Sequence, residues 1–282
     1  FVLSVLFGLF LIGPEVDAPD LEKPLPEIQY CLSKLGDWID NREAKFDNIK
    51  PHNASKIEFY DSIPRKTPYS ILYLHGFSAS TGEGDPVHHN IARAFKANIY
   101  LPRLSNHGLV EDEPLLYFTG QKYLDSAKEA LAIAKKIGEK VIVISSSTGG
   151  TLSLIIGDDP QIAALLLFGP NVEIHDSRAP LLTLPWGLQI AELVVGSKYH
   201  IMDKITEEKK NYWTTRYRLE PTIELQKLIE TGMQKEIFEK ITAPVFMGYY
   251  YKNEYEKDEV VSIPAMLRMY DQLGTPKEKK QK

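Results

Sequence analysis

The chain has 282 residues, 43% hydrophobic and 25% charged, the composition of a soluble globular protein and one that excludes global disorder. Its 33 Lys and Arg against 38 Asp and Glu leave a formal charge of −5 with no long basic run, so nucleic acid is not an expected partner. The single cysteine, Cys31, excludes an internal disulfide and a Cys-rich zinc site. Phe1 opens a run of apolar and small residues over 1–13. As a helix that run would reach about 20 Å, short of the roughly 30 Å hydrocarbon core. It is read as the remnant of a signal peptide or an N-terminal membrane anchor, the anchor being favoured, which predicts a membrane-anchored or exported protein on the non-cytoplasmic face. Residues 14–27 are Pro-rich and acidic and read as a linker.

From residue 28 the pattern alternates. Leu32, Leu35, Trp38 and Ile39 carry helical spacing within 28–46. Strands are expected at 57–60, 70–74, 98–101, 140–144, 163–168 and 245–250, and helices at 87–96, 121–137, 149–156 and 263–273. Runs such as Ile71-Leu72-Tyr73-Leu74 are apolar without a break, the signature of strands buried on both faces. The expected fold class is therefore α/β, a doubly wound, mostly parallel sheet. Residues 171–243 break the rhythm with helical pieces at 186–195, 207–213 and 221–229 and no clear strand. They are expected to form a helical lid over the carboxyl edge of the sheet, where ligands bind in such folds. The aromatic residues Tyr212, Trp213 and Tyr217 would either line an acyl pocket or form the core of that lid.

The strongest chemical signal is Val141-Ile142-Val143-Ile144-Ser145-Ser146-Ser147-Thr148-Gly149-Gly150. A buried strand runs into a tight turn and small residues open a helix. A serine at the apex stands at the helix N-terminus, where free N–H groups and the dipole favour a developing oxyanion. The turn requires small residues two before and two after that serine, places filled by Ser145 and Gly149 around Ser147.

This turn resembles the nucleophile elbow of the serine α/β-hydrolases of the lipase and esterase kind, with Ser145 in place of the usual first Gly. Leu74-His75-Gly76-Phe77-Ser78 resembles the superfamily's His-Gly-x oxyanion loop. The resemblance implies that the amides of Phe77 and Thr148 form the oxyanion hole, that Gly76 permits the sharp turn, and that His75 stabilises the turn rather than acting as base. Arg103-Leu104-Ser105-Asn106-His107-Gly108 resembles the Gly-His-Gly loop of the same members, Asn106 replacing a Gly in a structural role. The acid is expected past the strand at 245–250. Asp258 is favoured, and Glu254 and Glu256 remain alternatives.

In this fold the order is Ser, acid, His. The 7 histidines, His52, His75, His88, His89, His107, His175 and His200, all precede Asp258. The expected domain spans 28–282, with the last strand and the base histidine missing and placed beyond Lys282. His175 is the alternative base. The implied activity is hydrolysis of carboxylic esters, acylglycerols or medium-chain acyl esters, through an acyl-enzyme. A non-catalytic ligand-binding homologue and an acyltransferase remain alternatives. The expected partner is a small-molecule ester, with membrane attachment through the N-terminus. No cofactor is needed and no metal is expected. Adjacent His88 and His89 point about 100° apart on a helix, with no further His or Cys to complete a set. Gly82-Glu83-Gly84 lacks the Lys-Ser/Thr of a phosphate loop and is read as a flexible turn.

Overall fold

A computed structural model describes residues 8, 10–61, 63–203 and 205–282. The unbroken apolar runs become the centre of a sheet. Strands β1 (Lys56–Glu58), β2 (Thr67–Leu74) and β3 (Asn98–Leu101) come first, with helix α1 (Leu32–Glu43) before them and α2 (Val87–Phe95) between β2 and β3. Helix α3 (Gly120–Ile137), strand β4 (Gly138–Ser146), helix α4 (Thr148–Ile155) and strand β5 (Ile162–Phe168) follow. After the interval the chain returns as β8 (Val245–Gly248) and then as β11 (Lys280–Gln281), so the strand expected to be missing is present as a two-residue parallel pairing with β8. The order in the sheet is β1-β3-β2-β4-β5-β8-β11, and every pairing is parallel except the antiparallel β1 at the edge.

Alternation along the strands divides the core. Leu72, Leu74, Val141, Val143, Leu165 and Leu167 face the side covered by α3, with Leu124, Ala127 and Leu131 buried against them. Ile71, Tyr73, Ile99, Leu101, Ile142 and Ile144 face the other side with Ala92 of α2. The period of two places successive residues on opposite faces. Both faces are covered, so the strands have no solvent face and read as continuous apolar runs.

The interval between β5 and β8 is more mixed than expected. It holds α5 (Gly187–Val195), β6 (Tyr199–Ile201), α6 (Glu207–Tyr212), β7 (Arg216–Arg218), α7 (Glu220–Gly232) and α8 (Lys235–Phe238). β6 and β7 form an antiparallel pair of three residues each, too short and too charged to show a strand pattern. Helix α7 belongs to the body. Leu228 is fully buried in the main core, and a Cβ on Gly120 would lie only 3.0 Å from the Glu224 carbonyl oxygen, so α7 runs tightly against the start of α3. The part lying over the loop after β2 is the middle: Tyr212 packs on Gly82, Tyr217 on Phe77, and the Thr214 amide donates to the Ser78 carbonyl at 2.7 Å.

The apolar run over 1–13 lies largely outside the described residues. Phe10, Leu11 and Ile12 are exposed, and Gly13 packs on the Trp186 ring. Among the described residues no helix is long and apolar enough to cross a membrane. Residues 14–27 have no regular structure but lie along α3: Lys128 Nζ donates to the Leu21 carbonyl at 2.7 Å, and Lys23 pairs with Asp125 at 2.6 Å.

Candidate active site

Ser147 sits at the junction of β4 and α4 with φ 50° and ψ −119°, a backbone conformation that side-chain-bearing residues rarely adopt. Three backbone bonds hold it there. Its amide donates to the Phe168 carbonyl at 2.9 Å, and its carbonyl accepts from Gly150 at 2.8 Å and Asn171 at 2.9 Å. Gly149 is required by contact: a Cβ there would lie 2.0 Å from the Leu74 carbonyl oxygen. Ser145, two residues before, is fully buried, and its hydroxyl has no hydrogen-bond partner.

The loop after β2 comes up beside this serine. A Cβ on Gly76 would lie 3.2 Å from Ser147 Cβ. Thr148 is the first residue of α4, and its amide belongs to the orphan donors of a helix N-terminus. Neither it nor the Phe77 amide has an acceptor in the hydrogen bonds of the described residues. The Phe77 ring is fixed edge-on between His107, Phe118 and Tyr217 at 5.2 to 5.7 Å.

His75 lies beneath the loop, fully buried. Its Nε2 accepts the Leu104 amide hydrogen at 3.1 Å, which leaves Nδ1–H to donate to the Gly76 carbonyl at 2.9 Å. Burial lowers its pKa to about 4. Both nitrogens are thus committed to tying the 103–108 loop to the loop after β2. Asn106 has φ 62°, the left-handed conformation that asparagine tolerates better than most residues, which accounts for its standing in for a glycine. His107 stacks on Tyr123 at 5.1 Å, with Nδ1 against the Ser105 carbonyl at 2.8 Å.

Asp258 lies past β8, two strands from the serine in the order β4-β5-β8. Its Oδ1 accepts from the amides of Val260 at 2.8 Å and Val261 at 3.0 Å. Its Oδ2 faces Gly169, at 3.6 Å from where a Cβ would stand. Gly169 follows Phe168, whose carbonyl holds the Ser147 amide, so the tip of β5 separates Ser147 from Asp258. Glu254 and Glu256 are instead exposed on a hairpin of β9 (Tyr251–Asn253) and β10 (Glu256–Lys257), paired with Lys257 and Lys252 at 2.7 Å. The root of the interval runs beside the acid loop: Ile174 bridges Val261, and the His175 amide donates to the Val260 carbonyl at 2.9 Å. His175 itself is exposed.

Two features escaped the sequence reading. Gly82-Glu83-Gly84 is not a flexible turn but part of a packed 3-10 turn. Side chains on Gly82 and Gly84 would collide with the Tyr212 ring at 2.1 Å and the Tyr73 ring at 2.4 Å. Between them, Glu83 Oε2 accepts from the Gly76 amide at 2.8 Å and the Tyr73 hydroxyl at 3.0 Å. Burial pushes its carboxyl pKa up, against the hydrogen bonds from Gly76, Tyr73 and Ser146. The second is at His88 and His89, which a carboxylate adjoins. Donor atoms of Asp85, just before α2, and of His88 and His89 in its first turn all lie within 4.8 Å of one another.

No family model matches the chain, and no curated protein matches it. Solved structures match its architecture. A structure from the metagenome-derived lipolytic enzymes LipS and LipT is 14% identical, with 83% of this chain and 87% of that one covered at a TM-score of 0.66. The Paleococcus ferrophilus monoacylglycerol lipase is 12% identical over 77% of this chain and 84% of its own, at a TM-score of 0.53. The enol-lactonase from Burkholderia xenovorans LB400 is 12% identical over 80% and 85%, at a TM-score of 0.50. Such identities speak for a shared fold, and a fold alone does not decide a reaction.

Proposed function

We propose that this chain, which has the α/β-hydrolase fold, is a serine hydrolase of carboxylic esters. The observation that carries the reading is the strained Ser147 at the β4–α4 turn, with the Gly76 loop in contact on one side and Asp258, its Oδ1 fixed by two amides, beyond the tip of β5. Strain of this kind persists only where the surroundings over-determine it, as at a nucleophile that must stand clear of its own backbone.

In the proposed reaction Ser147 Oγ attacks the ester carbonyl and gives its proton to a histidine base. The amides of Phe77 and Thr148 hold the oxyanion, a contribution of several kcal/mol for such a pair. The alcohol leaves with the proton, and water then cleaves the acyl-serine by the same route in reverse. Asp258 orients the base. The base is assigned to none of the described histidines, since His75 has both ring nitrogens engaged in the loop and His175 is exposed. His75 and Gly76 act as supports of the oxyanion loop, and Gly149 as the clearance beneath the turn.

Acylglycerols or medium-chain acyl esters are the proposed substrates, since the oxyanion loop carries the apolar rings of Phe77, Phe118 and Tyr217 beside it. The middle of the interval, resting on Ser78 and Gly82, is proposed to act as the lid. Attachment through the N-terminal apolar segment, on the non-cytoplasmic face, completes the proposal.

The test is labelling with a fluorophosphonate probe, using protein expressed from its complete gene. Labelling at Ser147 and turnover of p-nitrophenyl acyl esters, both lost in Ser147→Ala, is the expected result. Labelling that survives this substitution overturns the assignment.

A further inference from the structure

On the far side of β2 from α3, the start of α2 gathers ligating groups that ester hydrolysis does not use. Asp85 Oδ1 and His89 Nδ1 are 2.6 Å apart, and His89 Nε2 lies 3.3 Å from Glu58 of β1. The His88 ring is 1% exposed and stacks on Tyr73 at 4.8 Å. The two histidine rings are 4.3 Å apart, centre to centre.

The buried ring is incompletely satisfied. Among the described residues His88 Nδ1 makes no hydrogen bond. It faces the glycine just before Asp85: a Cβ on Gly84 would lie 2.9 Å from it. An unpaired buried nitrogen is costly to desolvate, and this one stands beside a carboxylate and a second imidazole. The helix N-terminus itself disfavours a cation. Here Asp85 and Glu58 supply the opposing charge, Glu58 also pairing with Lys56.

We propose that Asp85, His88 and His89 form a divalent-metal site of the zinc class, with Glu58 as the outer carboxylate that orients His89. Two imidazoles and one carboxylate are the donor set of a borderline cation, not of magnesium or calcium, which prefer all-oxygen shells. Metal binding would replace the hydrogen bond between His89 Nδ1 and Asp85 Oδ1, the ring proton moving to Nε2 where Glu58 accepts it, so that the Nδ1 lone pair faces the metal, the usual arrangement of a carboxylate behind a ligating histidine. Three protein ligands leave a position for water. The site is one ring away from the proposed active site, since the Tyr73 that stacks on His88 also donates its hydroxyl to Glu83. Occupancy would hold the start of α2 and the 76–85 segment in place.

The test is calorimetric titration of untagged, chelator-stripped full chain with Zn²⁺, followed by metal analysis and Co²⁺ absorption spectra. One equivalent of Zn²⁺ is expected, with visible Co²⁺ bands. Affinity should fall at least about tenfold in His89→Gln, in Asp85→Asn and, through the outer shell, in Glu58→Gln. These side chains are 27 to 55% exposed, so the substitutions should leave the fold intact, as circular dichroism would check. Folded protein that binds less than a tenth of an equivalent overturns the proposal. So does binding unchanged in His89→Gln and Asp85→Asn, which would put the metal elsewhere, and so does a preference for Mg²⁺. None of these readouts uses ester turnover, so the result stands apart from the fate of the hydrolase reading.

Discussion

Glu83 Oε2 receives the Gly76 amide hydrogen at 2.8 Å, while a Cβ on Gly76 would stand only 3.2 Å from the Cβ of Ser147. A half-buried carboxylate thus fixes the Gly76 amide, one peptide before the Phe77 amide that is a proposed oxyanion donor. The same oxygen takes the Tyr73 hydroxyl, so loop, strand and turn share one acceptor. Glu83 is therefore a positioning residue. Glu83→Ala is expected to lower kcat on the order of 10²-fold with little change in KM, because a misplaced donor weakens the transition state and not ground-state binding. Glu83→Gln retains an acceptor oxygen and should stay within about threefold of wild type, the change expected when a single hydrogen bond is kept but weakened. Steady-state kinetics of both variants decide it, and equal losses in the two would show that the charge, not the acceptor, matters.

The backbone at Ser147 gives a stability test independent of activity. A residue with a side chain held at φ 50° stores on the order of 1–3 kcal/mol, which glycine relieves at an unfolded-state cost of about 0.5–1 kcal/mol. Ser147→Gly and Ser147→Ala both remove the hydroxyl, but only glycine releases the strain. The glycine variant should unfold higher than the alanine variant by about 1 kcal/mol, roughly 2 °C for a protein of this size. A glycine variant melting below the alanine variant would contradict the assigned conformation.

Ser145 makes a complementary prediction. Its hydroxyl is buried without a partner between Leu74 and Leu167, its register neighbours on β2 and β5. Ser145→Ala removes an unsatisfied polar group and leaves the small side chain that the turn requires. Stability should rise by about 1 kcal/mol. Urea unfolding measures this, and a loss of stability would reveal an acceptor or donor for that hydroxyl.

What the sequence made legible follows the range of the interactions. The central strands announced themselves because two-sided burial makes Ile71 to Leu74 and Val141 to Ile144 uniformly apolar. The Ser147 turn was legible because its sterics act within five residues, as the Gly149 clash with Leu74 makes plain. The position of Asp258 in the loop past β8 was legible because loop position after a strand is a local property. Glu83 was not, since its partners Tyr73 and Gly76 meet it only through the packing of Gly82 and Gly84 under aromatic rings. Asp85 was not legible beside the paired histidines because a lone carboxylate carries no sequence signal, nor was Glu58, which comes from a different strand. Helix α7 showed an apolar face, but periodicity does not say what covers it, and the body rather than the lid does.

The last prediction concerns acid. His75 is buried and neutral, with a pKa lowered to about 4 from an ordinary 6.5, burial being the main cause. The unfolded chain binds a proton as pH falls through 6.5, whereas the folded one does not until about 4. Stability from this group is therefore complete above 6.5 and is lost progressively down to about pH 4. At pH 5 the loss attributable to His75 is about 2 kcal/mol, since each tenfold difference in proton affinity between the two states is worth about 1.4 kcal/mol. Buried His107, whose pKa is also lowered, acts in the same direction, while Glu83, whose pKa is raised, acts in the opposite one. The clean readout is the difference between wild type and His75→Asn in urea unfolding at pH 7 and pH 5. Wild type should lose about 2 kcal/mol more than the variant over that interval. Equal losses would mean that His75 titrates normally, and with it would fall the picture of a neutral imidazole tying Leu104 to the Gly76 carbonyl.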